Sequence, residues 1–298
     1  MASQHIDYYN LKSFFLDRMN TVNCAAKALK AMHVPKLPII FTNVWDASSL
    51  KAVLSLNEGS NKPVKAVATA SSAIAAAAGC KDEELTLEQN VAAIRRLAHL
   101  CRQAGVPLSA DLQDGYGSRI EEIVTAAVQA GVSGANIEDS ISSTAYRKGL
   151  AGSLYPLDEQ VRRLRSALKA ATEAGCPDFV LNARCDIFCI DDPDLNDDAR
   201  LKEAITRGKA FLELGATTVF YWGGPRRGLT KDHLQTLVKE LDGRVAVLLG
   251  GYSGGPTVTE LAELGVARIS IGDDLYPIAM SAIRTAALRV FVEGRLPA

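Results

Sequence analysis

Five times along the chain a helix-compatible segment ends at a glycine and an apolar run begins within a few residues. The five stops are Gln103-Ala104-Gly105-Val106-Pro107, Gln129-Ala130-Gly131-Val132-Ser133, Glu173-Ala174-Gly175-Cys176-Pro177, Glu213-Leu214-Gly215-Ala216-Thr217 and Glu263-Leu264-Gly265-Val266-Ala267. Glycine enters the left-handed conformation that ends a helix without steric cost, so each stop marks a passage from helix to strand. This punctuation confines the chain to α/β layering.

The apolar runs bounded by these stops predict eight strands, over 37–44, 64–70, 107–112, 133–138, 178–184, 217–222, 244–250 and 268–272. Each is short and rich in Val, Ile, Ala or Leu, as strands buried on both faces must be. Helical patterns fall at 47–56, 87–103, 119–130, 158–174, 197–214, 230–241, 257–264 and 277–292. Eight strands alternating with helices predict one (β/α)8 TIM barrel over 35–298. The chain's 298 residues exceed the roughly 250 typical of that fold by about the length of an extension. An open doubly wound sheet is the alternative, but no G-x-G-x-x-G follows the first strand. Residues 1–34 lie outside the barrel count; Leu16, Met19, Val22, Ala26 and Leu29 space an amphipathic helix that covers the barrel floor or a neighbouring subunit.

Lys and Arg number 33 against 34 Asp and Glu, so the charge balance offers nothing to a polyanion, and neither nucleic acid nor membrane is expected as a partner. The N-terminus has no apolar core of signal-peptide length, and no run approaches the span of a bilayer. The six cysteines contain no C-x-x-C pair, which fits free thiols in a reducing, cytoplasmic setting.

In a barrel the active site forms at the C-terminal strand ends, which gives weight to acids and arginines that close apolar runs. Asp111, Glu138 and Asp139, and Arg184 with Asp186, close three successive runs. Carboxylates from neighbouring strands can hold Mg2+, or Mn2+ in its place, and the ion can bind the paired oxygens of a 2-oxo acid and stabilise its enolate. The same residues also read as strand-end acids that pair with one another or cap the following helices. Ala70, Ser71 and Ser72 form a small-residue turn whose backbone N–H groups can approach an anion.

At these residues the chain resembles the isocitrate lyase and phosphoenolpyruvate mutase superfamily. The likeness runs from about Leu29 onward through NVWDASS (Asn43 to Ser49, including Trp45), TASSAIAAAAG (Thr69 to Gly79), ADLQDGYG (Ala110 to Gly117, including Gly115 and Tyr116), NIEDS (Asn136 to Ser140), LNARCDIF (Leu181 to Phe188) and LGVARISIG (Leu264 to Gly272). It implies Asp111 as the main metal ligand and Glu138 as a carboxylate reaching the ion through water. It also implies Arg184 as the grip on the substrate's carboxylate, Ala70–Ser72 as its cradle, and Asp82 as an acid on a closing loop. Trp45, Gly115, Tyr116 and Trp222 join the expected substrate-binding set.

Two departures qualify the resemblance. Gln113 stands where the family carries an acid, removing a negative charge near the ion while still able to reach a metal-bound water. The K-K/R-C-G-H segment of the lyases is missing: no cysteine lies between Cys101 and Cys176, and no histidine between His99 and His233. Nor is the K-x-N-S segment of the mutases present. Tyr146 and Lys148, with Arg147 between them, are the candidates to replace them in proton transfer, or else belong to a solvated loop. The expectation is a Mg2+-dependent lyase or phosphonomutase-like enzyme, not a true isocitrate lyase, that acts on a small 2-oxo acid or dicarboxylate as a homo-oligomer, dimer or tetramer. An oxaloacetate-type hydrolase and a catalytically inactive binding or regulatory barrel are the alternatives.

Overall fold

The computed structural model describes residues 21–141, 146, 148–224, 228–250 and 255–296. Eight parallel strands close in sequence order into a barrel: β1 (Ile39–Val44), β2 (Val67–Thr69), β3 (Leu108–Asp111), β4 (Gly134–Glu138), β5 (Val180–Arg184), β6 (Thr218–Tyr221), β7 (Val245–Leu248) and β8 (Arg268–Ser270). Closure is made by β8 against β1, with Ile39 beside Arg268 and Phe41 beside Ser270. The eight expected strands are all present. They are shorter than their apolar runs, because the pairing stops where the chain turns toward a helix.

Helix α1 spans 21–31. The others are α2 (Ala47–Leu54), α3 (Ser71–Ala78), α4 (Leu87–Gln103), α5 (Ile120–Ala130), α6 (Gly149–Ser153), α7 (Leu157–Glu173), α8 (Asp197–Glu213), α9 (Lys231–Glu240), α10 (Val258–Leu264) and α11 (Leu275–Glu293). Helix α4 illustrates how they form. Thr86 and Gln89 close a capping box at its start, and Val91, Ile94, Leu97, Ala98 and Cys101 then bury one face against the barrel. Two helices were not expected, α3 and α6. An Ala-rich octapeptide has no amphipathic period, so α3 carries no pattern to find.

From α1, Val22, Ala26 and Leu29 are buried, and Leu29 packs with Ile39, Phe41, Ala66, Ala68 and Val180 at the N-terminal end of the barrel. Leu16 and Met19, expected on the same face, lie outside the described residues. Among the described cysteines none is paired; Cys101, Cys176 and Cys185 are buried and Cys24 is exposed.

Helix α11 is different in kind. None of its residues is buried, and Ile278, Ile283, Leu288, Phe291 and Val292 are all exposed. By length and composition alone it is apolar enough to cross a bilayer. The expectation of no such stretch is corrected here. Arg284 and Arg289 interrupt the apolar run to the eye, but its average hydropathy remains high.

Candidate active site

The residues expected at the barrel mouth divide into those that meet in one cavity and those that serve it from outside. The cavity holds about 310 Å3 and is lined, among others, by Ala70, Ser71, Ser72, Asp82, Asp111, Tyr146, Arg184 and Trp222. Ala70, Ser71, Ser72, Asp111, Arg184 and Trp222 lie at the C-terminal end of a strand or just beyond it, where the parallel sheet delivers its chain ends, while Asp82 follows α3 and Tyr146 comes from the segment between β4 and α6.

Asp111, the last residue of β3, is held from three sides. The N–H and Oγ of Ser71 both donate to its Oδ2 at 3.1 Å, and Asn136 Nδ2 donates to its Oδ1 at 3.3 Å. Its own N–H donates to Thr69 Oγ1 at 2.8 Å. The start of α3 therefore orients Asp111, and the donors expected to cradle a ligand carboxylate are engaged by an acid of the protein. Ser72 Oγ likewise donates to Asp273 Oδ2 at 3.0 Å.

Gln113 sits in the left-handed region, with φ of 52°. Its Nε2 donates to the carbonyl of Asp82 at 2.6 Å and to the Asp82 carboxylate at 2.9 Å. It is a clamp on the Asp82 segment and does not line the cavity. Burial, followed by the nearby charge of Asp111, pushes the Asp82 carboxyl above its ordinary range.

Glu138 ends β4 beside Arg184 in the neighbouring strand, and Arg184 Nη1 meets its Oε2 at 2.9 Å. Arg184 Nε bonds Asp186 Oδ1 at 2.7 Å, and Arg184 Nη2 donates to Tyr146 Oη at 2.9 Å. Tyr146 Oη in turn donates to Asp186 Oδ2 at 3.3 Å, and Trp222 Nε1 donates to Asp186 Oδ1 at 2.8 Å. Burial raises the Glu138 carboxyl well above its usual range despite the guanidinium beside it. Burial also opposes the charge of Arg184, but Asp186 and Glu138 more than offset it. The Tyr146 phenol is pushed up by burial and then by Asp186, and so stays protonated.

Neither Gln113 nor Glu138 lines the cavity, and four more expected residues lie off it. Trp45 packs edge-on against Tyr276, with centroids 5.2 Å apart. Gly115, at φ 87°, forms the turn after β3, where a Cβ would meet Ile120 Cγ1 at 2.6 Å. Tyr116 Oη accepts from Asn90, which also donates to the carbonyl of Asp111. Lys148, which precedes α6, is exposed, and its backbone N–H donates to Ser153 Oγ at the end of that helix; Arg147 lies outside the described residues. Asp139 faces away from the mouth and pairs with Arg207 of α8 at 3.1 Å.

Sequence reasoning missed Asn43, Ser109, Asn136, Arg268 and Asp273, which also line the cavity. Period-2 alternation on β3 could have found Ser109, two residues before Asp111. Nothing local marks Arg268. A thiol beside the site was also missed: Cys189 Sγ lies 3.6 Å from Asp186 Oδ1, whereas Cys185 is turned into the core. Burial pushes both thiols well above their ordinary range.

Oxygen donors dominate the cavity, and its carboxylates outnumber its guanidiniums, a donor set that suits a hard divalent cation. Among the described residues no three His, Cys, Asp or Glu side chains form a metal-holding group. That is compatible with Mg2+, which is commonly held through one or two carboxylates with water completing its shell.

A family model described as phosphoenolpyruvate phosphomutase matches residues 29–291. An uncharacterised protein of Mycobacterium tuberculosis is 29% identical over 267 residues, 89% of this chain and 90% of its own. Oxaloacetate decarboxylase of Chromohalobacter salexigens is 29% identical over 203 residues, 66% of this chain and 63% of that protein. A candidate phosphonomutase of Burkholderia cenocepacia superposes with a TM-score of 0.77 at 30% identity, over 90% of this chain and 99% of its own.

Proposed function

Because the chain belongs to the phosphoenolpyruvate phosphomutase family, we propose that it is a Mg2+-dependent enzyme that breaks or forms a carbon–carbon bond beside the carbonyl of a small 2-oxo acid, through an enolpyruvate-type anion. The observation that carries the proposal is the triply held Asp111 carboxylate, which shares one cavity with Arg184 and Tyr146. Three donors fixing one carboxylate at a strand end prepare an oxygen ligand at little further cost in conformational entropy.

Asp111 would hold the ion, with Asp82 close by and Glu138, occupied by Arg184, reaching it only through water. When bound, the ion supplies a Lewis acid for the developing enolate oxygen. The chain's own residues do the rest. Arg184 offers Nη groups to a carboxylate, its orientation fixed by Glu138 and Asp186. Tyr146 holds a proton on Oη within reach of the cavity, and the aromatic face of Trp222 excludes water from one wall. Cleavage of a phosphorus–carbon bond uses the same anion and is the less favoured reaction.

Within this chemistry an oxaloacetate-type diacid is favoured by the similarity to oxaloacetate decarboxylase. There the C3–C4 bond would break, carbon dioxide would leave with C4, and the electron pair would rest on the enolate until C3 takes a proton. The experiment is to incubate the protein with Mg2+ and oxaloacetate and identify the products. Pyruvate and carbon dioxide support decarboxylation, oxalate and acetate support hydrolysis, and binding without turnover of any 2-oxo acid supports a non-catalytic barrel. Loss of metal binding in Asp111→Ala by calorimetric titration is expected; unchanged affinity would remove Asp111 from the metal site.

The exposed apolar α11 supports a further proposal, that the protein assembles as a homo-oligomer, dimer or tetramer, with this helix covered by other copies. No nucleic acid or membrane partner is proposed.

A further inference from the structure

The cavity does not stop at the level of Asp111. Ser109 also lines it, and lies two residues earlier on β3, about 6–7 Å deeper into the barrel at the rise of a strand. At that depth the lumen is walled by small groups: Ala68 pairs with Ser109, and Ser109 pairs with Gly134. Into this space β8 sends Arg268, which is 2% exposed and among the residues that line the cavity.

Arg268 has few partners for a buried charge. Its guanidinium carbon lies 3.9 Å over the Phe41 ring, and Nη2 donates to Ser109 Oγ at 3.3 Å. Among the described residues Nε and Nη1 have no hydrogen-bond partner, and no carboxylate forms a salt bridge with the guanidinium. Burial lowers its pKa to about 9, opposed only by the field of Asp111 above it. It still remains a cation at neutral pH. An apolar side chain of similar length would fill the same space without the cost of burying a charge.

We infer that Arg268 is the cationic floor of the active-site cavity and determines its selectivity for anionic ligands. This rests on the proposed function, since it assumes that the ligand and a cation meet at Asp111. Facing the cavity from below, the guanidinium attracts a carboxylate entering the mouth and repels a cation at Asp111. In the poorly screened lumen both effects are felt over the separation between the two levels. Arg268 therefore tunes the two binding partners in opposite directions, which a residue serving only to fill the lumen would not do.

The test compares the wild type with Arg268→Met and Arg268→Lys, following Mn2+ binding alone and oxalate binding at saturating Mn2+ by calorimetry. Expected for Arg268→Met is oxalate affinity weakened about tenfold or more and Mn2+ affinity strengthened severalfold, with Tm unchanged or raised. Arg268→Lys, which keeps the charge, should stay near the wild type in both. Equal weakening of Mn2+ and oxalate in Arg268→Met, with a fall in Tm, would make Arg268 a structural strut and overturn the inference. So would unchanged affinities. A wild type that binds neither Mn2+ nor oxalate would instead overturn the proposed function, and this inference with it.

Discussion

Arg184 connects the carboxylates of β4 and the loop after β5 with the phenol of Tyr146, so its charge is already shared when a ligand arrives. Two orienting partners fix the planar fork, and a lysine could match neither its geometry nor its number of donors. Arg184→Lys should therefore raise the dissociation constant of an oxalate or pyruvate ligand about tenfold or more, measured by calorimetry with Mg2+ present. A change of less than about twofold would reduce Arg184 to a brace for Glu138 and Asp186. The types of the mouth residues were legible in the sequence, since acids and an arginine close successive apolar runs. Their partners were not. That Gln113 clamps Asp82, and that Glu138 is spent on Arg184, depends on contacts between segments 31 and 46 residues apart.

At the scale of elements, close approach decides what a strand or a turn will tolerate. Gly134 in β4 stands where a Cβ would lie 2.5 Å from the carbonyl oxygen of Val180 and 2.7 Å from its side chain. Neither can move without opening the β4–β5 ladder, so Gly134→Ala should cost about 2–3 kcal/mol. Calorimetry would show a Tm lower by several degrees, and an unchanged Tm would show that the ladder yields. His33, between α1 and β1, donates through Nδ1–H to the carbonyl of Leu29 at 2.9 Å, while its buried Nε2 has no partner among the described residues. Burial, then the charge of Arg268, lowers its pKa from 6.5 to about 3. Between those values the unfolded chain takes up a proton that the folded chain refuses. The stability His33 contributes is thus fully present above pH 6.5 and is lost as pH falls toward 3. His33→Phe should flatten the decline of Tm over that range relative to the wild type; parallel slopes would show that His33 does not contribute.

For the whole molecule, α11 stands apart from the other described helices: Leu275 and Tyr276 at its start touch the barrel, but none of its residues is buried and most of its apolar side chains are exposed. An exposed helix of this composition is costly in water, and burial against other copies of the chain would remove that cost. Sedimentation analysis should find a dimer or tetramer, and Ile283→Glu combined with Phe291→Glu should shift it toward monomer. A monomeric wild type, or one that floats with lipid vesicles, would count against assembly through this helix.

What the sequence determined by itself was the succession of β and α units, because helix-ending glycines and apolar runs act locally, and the positions of the acids and arginine that close them. It also carried Asp111 and Arg184 into the site on the resemblance of short segments. Tertiary structure alone decided what those residues touch. Barrel closure sets Arg268 of β8 under Asp111 of β3, through a lumen kept open by Ala68, Ser109 and Gly134. No local pattern encodes that meeting. It follows from the register of eight strands, which is set by all of them together.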